Sequence, residues 1–159
     1  MRTRTILVVV MLIGVLTLPG ILLGQTQASW VGTWKLNLAK SKYSPGPPPK
    51  SSTVKVEPWE NGLKTTTDVV TAQGEARHTE VSGKFDARDN SITGNPNADS
   101  DAFRRVNAHT YVTFAKKGGK ATTTTRVEIS ADGKTRTTRT TGKNAQGQDV
   151  DNTAVYDRM

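Results

Sequence analysis

Arg104, Arg105, Arg126, Arg136 and Arg139 are the side chains best suited to ligand chemistry in this 159-residue chain. A planar guanidinium captures carboxylate or phosphate bidentately. Parity restricts them. Val127 and Ile129 share one face of a strand-like run, so Arg126 and Glu128 turn outward, to pair with charges on the next strand. Arg136 and Arg139 are three residues apart and fall on opposite faces, so at most one points inward. Solvated cross-strand pairs are the expected outcome. His78 and His109 are the two histidines and cysteine is absent. A metal site would need both imidazoles plus carboxylates, and their spacing does not suggest it. The loop Asn95 to Asp101 puts oxygen ligands at alternate positions, but it lacks the central glycine and closing acid of a calcium loop. Turn chemistry accounts for its Asn, Pro and Asp equally well. No serine lies in a Gly-x-Ser-x-Gly turn. The expectation is a non-catalytic protein with no metal and no cofactor.

The elements that must position these residues are strands. Thr- and Val-rich runs are broken at Asn61-Gly62, Gln73-Gly74, Asn107-Ala108, Gly118-Gly119, Asp132-Gly133 and Gln146-Gly147. Such pairs accept the positive φ of tight turns between antiparallel neighbours. The runs cover 30–38, 53–60, 63–71, 75–85, 91–93, 102–106, 110–116, 120–130, 135–142 and 151–159. In the first, Trp30, Gly32, Trp34, Leu36 and Leu38 alternate with Thr33, Lys35 and Asn37, the period of a half-buried strand. Between the first two runs, Ala39 to Lys50 carries Ser-Pro-Gly-Pro-Pro-Pro, which reads as an extended polyproline-like crossover. About nine or ten strands and no helix beyond a turn predict an all-β, single antiparallel up-and-down β-barrel. The first and last strands must then meet to remove both edges.

Two threonine runs, Thr122 to Thr125 and Thr137 to Thr141, suit strands through their branched Cβ. An exposed face is the plainer reading; a polar lumen or a carbohydrate-contacting face is the sharper one. Trp59 would serve as barrel wall or, on that sharper reading, as a stacking aromatic. Low aromatic content and abundant threonine imply a thin or partly polar interior, which a closed barrel tolerates.

The N-terminus reads as an export signal. Arg2 and Arg4 precede the apolar stretch Ile6 to Leu23, and Gln25-Thr26-Gln27-Ala28 supplies the small residues of a cleavage site between Ala28 and Ser29. The alternative is an uncleaved anchor, because the stretch approaches the ~18 residues needed to span a bilayer. Residues 1–28 are thus assigned as signal peptide and 29–159 as the barrel domain. Secreted or periplasmic localisation follows, with no stable membrane anchor after cleavage. The remaining 131 residues suffice for one domain. Losing Arg2 and Arg4 leaves 20 basic residues against 14 acidic ones, a net +6. Nucleic acid is not expected as a partner, because the charge is spread along strands without interleaved aromatics.

Trp30-Val31-Gly32-Thr33-Trp34-Lys35-Leu36 resembles the opening strand of the calycins, the lipocalins and fatty-acid-binding proteins. Ala154-Val155-Tyr156-Asp157-Arg158 is similar to the closing strand of fatty-acid-binding proteins. The resemblance covers both ends of the domain and its strand rhythm. It implies a plug made by Gly32, Trp34 and a basic residue of the closing strand lying across the indole, Arg158 first and Arg139 second. It departs from the family where Ala154 replaces the carboxylate-binding arginine, and where the prolines of Ser44 to Lys50 exclude a helical lid.

The expected function is a secreted or periplasmic barrel that binds a small, mainly apolar molecule. The inward set would be Trp34, Leu36, Val54, Val56, Phe85, Phe103, Val112, Phe114, Val127, Ile129 and Tyr156. Ligand contacts would come from Trp34, Leu36, Phe85, Phe103, Val112, Phe114, Val127 and Tyr156, and burial of apolar area would drive binding. The alternative is a structural or interaction module of the cell envelope, with a filled barrel and a basic Thr-rich exterior contacting polyanions or glycans.

Overall fold

The computed structural model describes residues 29–159. The expected signal peptide and its cleavage site lie at or beyond the edge of the described residues. Ten strands form the domain: β1 (Gly32–Leu36), β2 (Ser51–Trp59), β3 (Gly62–Val70), β4 (Ala76–Lys84), β5 (Asp89–Thr93), β6 (Ser100–Arg105), β7 (Thr110–Lys117), β8 (Lys120–Ile129), β9 (Thr135–Lys143) and β10 (Asp149–Arg158). Each pairs antiparallel with its neighbours in the chain, and β1 closes on β10, giving a closed up-and-down barrel. The closing register sets Trp34 opposite Arg158 and Leu36 opposite Tyr156. Closure removes the two free edges that an open meander would expose.

Strand one is shorter than its alternation suggests. Asn37 leaves the strand and caps a 3-10 turn, Leu38–Lys40, its side chain accepting from the Lys40 amide at 3.3 Å. Leu38, expected on the inner face with Trp34 and Leu36, is therefore exposed. Beyond this turn the chain rejoins β10. Lys42 bridges Thr153, and the Asp151 amide donates to the Ser44 carbonyl at 2.8 Å. The proline-rich segment then leads into β2, where the Lys50 amide donates to the Val70 carbonyl at 2.8 Å.

Side chains divide the barrel along its axis. Towards the closed end, Trp30, Trp34, Val54, Val56, Leu63, Phe103, Tyr111, Val127, Ile129, Ala154 and Tyr156 are buried in one cluster, with Phe85 packed alongside. Trp30 meets Phe85 at 5.6 Å and the edge of Tyr111 at 5.5 Å between ring centroids. These spacings suit tilted and edge-on aromatic pairs. The inner rows nearer the mouth carry Thr65, Thr67, Thr113, Thr125 and Thr140 in register with those below. Apolar burial is thus concentrated in the floor.

Candidate functional site

A chamber of about 380 Å³ lies at the mouth. Its wall is built by alternation: Asp101 of β6 opposes Ala115 of β7, Thr113 opposes Thr125, Thr125 opposes Thr140, and Thr140 opposes Asn152. Opposed residues share a face of the sheet, so one turn of the barrel wall presents a belt of hydroxyl and amide groups. The Thr125 and Thr140 hydroxyls are 2.9 Å apart. A β-bulge between Phe114 and Lys116 interrupts the register, and Thr122, whose hydroxyl donates to the Ala115 carbonyl at 3.1 Å, joins Thr123 in the lining. Pro45 of the crossover and Asn95, Asn97 and Asn144 of the mouth loops complete the rim.

Asp101 is the one ionisable side chain among the described residues lining the chamber. Its Oδ1 is buried without a protein partner. Burial pushes its carboxyl up to about 6, opposed by the Thr113 hydroxyl and the Ala102 and Phe114 amides and reinforced by the charge of Asp89. A carboxylate withdrawn from water with no cation beside it favours its neutral form. A second buried ionic group lies lower. Arg136 is 6% exposed, its guanidinium carbon stands 5.3 Å from the Tyr156 ring centroid, and Nη2 reaches the Tyr111 hydroxyl at 3.5 Å. Its Nε is buried without a partner. The Tyr156 face and the Tyr111 hydroxyl hold this cation in place of a carboxylate. Burial, reinforced by Tyr156, also holds the neighbouring Tyr43 phenol above its usual range.

The expected plug has its geometry. The Arg158 guanidinium stacks 4.2 Å from the Trp34 ring centroid. Its Nε donates to the Gly133 carbonyl at 2.6 Å, Nη1 to Val31 at 2.8 Å and Nη2 to Ser29 at 2.7 Å. The Trp34 indole donates to the Trp30 carbonyl at 3.0 Å. Gly32 is required beside them: a Cβ there would stand 2.5 Å from Arg158 Nη1. Arg139, the second candidate, is exposed and pairs with Asp151 instead.

The residues expected to contact a ligand are placed differently. Trp34, Leu36, Phe85, Phe103, Val127 and Tyr156 pack into the apolar cluster of the floor, and none of them lines the mouth chamber. Val112 and Phe114 lie on the outer face: Val112 opposes Arg104 and Arg126, and Phe114 opposes Ala102 and Thr124. The physical reason is parity, because Tyr111 and Thr113 take the inward positions of β7. Arg104 covers Phe114 at 5.3 Å, and Arg105 covers Trp30 at 5.3 Å. Arg126 turns outward as expected but pairs with Glu128 of its own strand at 2.7 Å rather than across strands. Of the arginine pair on β9, Arg136 points inward.

Asn95 accepts from the Asn97 amide at 2.9 Å, and Asp99 from the Gly118 amide at 2.8 Å, so this loop's oxygens serve turns. His78 pairs with Asp68 at 2.6 Å on the surface, and His109 is exposed. Among the described residues, no three His, Asp or Glu side chains gather to hold a metal ion. Trp59 follows the outward parity of β2, opposite to Val54 and Val56.

Asp101 was weighed only as the last oxygen ligand of the Asn95–Asp101 loop, and its inward place on β6 was missed because its sequence neighbours read as a turn. Its offset of two from the inward Phe103 carried the signal. Likewise, Thr123 and Thr125 share the parity of Val127 and Ile129. No protein-family model and no curated protein sequence matches the chain.

Proposed function

We propose that this protein is a calycin-like barrel that binds one small polar molecule in the Thr- and Asn-lined chamber at its mouth. The observation that carries the reading is the chamber itself, about 380 Å³ of space above a filled floor. That volume lies within the range of small-ligand sites. Its lining offers hydroxyls, amides and one carboxyl, groups that recognise a ligand by hydrogen bonding. The apolar side chains that would hold a greasy ligand are occupied with one another in the floor, so a polar occupant fits better than an apolar one. The barrel acts as a carrier or scavenger without catalysis, in the secreted or periplasmic setting that the N-terminal sequence suggests. Kinship with calycins is supported by the Trp34–Arg158 stack, the close approach at Gly32 and the closed meander.

Native mass spectrometry of protein purified from its own host tests the proposal. The expected result is an adduct on the wild type that disappears in Ala115→Trp, whose indole would fill the chamber. A bare wild type, or an adduct that survives the block, overturns it.

A further inference from the structure

The chamber lining mixes hydroxyls and amides with the apolar side chains of Ile92, Ala115 and Val150, and one residue of it, Asp101, is ionisable. Asp101 projects from β6 with Oδ1 buried and unpartnered. The opposite walls offer neutral Thr125, Thr140 and Asn152. The charged groups on the flanking strands do not neutralise it. Asp89 of β5 has the same sign, and Lys116 of β7, 2.7 Å from Asp89, is committed to that pair. From β5, Asn90 donates to the Asp101 backbone carbonyl at 3.1 Å and leaves the carboxylate alone.

We infer that the chamber selects ligands carrying a protonated primary amine, with Asp101 as the counter-ion and the threonine belt holding the ligand's neutral polar groups. This rests on the mouth chamber being the binding site. An ammonium brings a charge and three donors, matching an acceptor-only carboxylate that lines the chamber with no cation beside it. A neutral hydroxyl brings one donor and no charge. The amine therefore relieves a desolvation penalty that the alcohol leaves in place. Linkage fixes the reverse effect: an occupant that binds the ionised form lowers the carboxyl's titration midpoint from its raised value near 6. Capture is complete above that value and fades as Asp101 takes up its proton.

Ethanolamine and ethylene glycol differ by ammonium against hydroxyl and are small enough for the chamber. Each is titrated into isotope-labelled wild type and Asp101→Asn. The readouts are the Asp101 carboxyl carbon shift against pH and the amide shifts of Thr113, Thr125 and Thr140. In the wild type, ethanolamine is expected to bind at least about tenfold more tightly than ethylene glycol and to lower the Asp101 midpoint. Asp101→Asn should remove that preference, ethanolamine then binding no more tightly than ethylene glycol. If both probes perturb the chamber amides equally, and equally in the variant, amine selection is wrong while the chamber remains a polar site. If neither perturbs the amides nor the carboxyl, both readings fail.

Discussion

At Asp101, folding keeps an acid where water would suit it better. Its raised folded value means that the native state binds the proton more tightly than the unfolded chain does. This contribution is fully present below the unfolded value near 3.8 and is lost as pH rises through about 6. Asp101→Asn should therefore stabilise the protein at pH 8 by roughly 1–3 kcal/mol. Urea titrations from pH 4 to pH 8 check this; a variant whose midpoint tracks wild type at every pH refutes the assignment. Arg158 should behave oppositely, because three backbone carbonyls and the Trp34 face depend on one guanidinium. Arg158→Ala is expected to cost roughly 2–3 kcal/mol. Arg158→Lys should recover only part, since an ammonium lacks the planar fork. Tryptophan fluorescence during unfolding measures both. At this scale the sequence was legible where parity had an apolar marker. Val127 and Ile129 oriented Arg126 outward, and Gly32, Trp34 and Arg158 marked the plug. Val112 and Phe114 misled because an apolar residue looks inward whichever face it occupies. Arg136 carried no marker, since its strand has no apolar residue to orient it.

Among the elements, pairing is uneven. β2 and β3 are in register from Ser51–Val70 to Trp59–Gly62, whereas β4 meets β5 at Glu80–Thr93 and Val81–Ile92. Gly94 tightens the end of that short seam. Its φ is +75°, and a Cβ there would stand 1.8 Å from the His78 carbonyl oxygen, so backbone must move. Gly133 has a similar φ of +70° but open space around its Cβ position. Gly133→Ala should cost about 1 kcal/mol, the left-handed strain alone. Gly94→Ala should cost at least about twice that and accelerate amide exchange in β4 and β5. Equal losses in the two variants would show that the contact does not matter. Strand boundaries were legible where a glycine- or asparagine-containing pair punctuates the hairpin; between β4 and β5 the positive φ falls on Ala87, which gives no such signal, and β5 starts at Asp89 rather than Ser91. The 3-10 turn at Leu38–Lys40 was not, because Leu38 continues the alternation and capping by Asn37 overrides it.

Over the whole molecule, closure brings the described ends together. Arg158 reaches the Ser29 carbonyl, and the Met159 amide donates to Thr33 at 2.9 Å. A permutant that joins Met159 to Ser29 through a short linker and opens between Gly118 and Gly119 should fold, melting within about 5 °C of the parent. Loss of a cooperative melt would contradict the closed arrangement. The cylinder itself was legible from strand rhythm and the matched ends. What lay beyond the sequence was height along its axis. Alternation says which side chains point inward but not how far each stands from the sealed end, so packed and hollow levels look alike. That separation of levels has an evolutionary corollary. The cluster around Trp34 supports the scaffold, while the rows around Thr125 carry little of that burden. Substitutions in the upper rows can accumulate while the fold persists, so related chains would diverge first at the rim and last at the base.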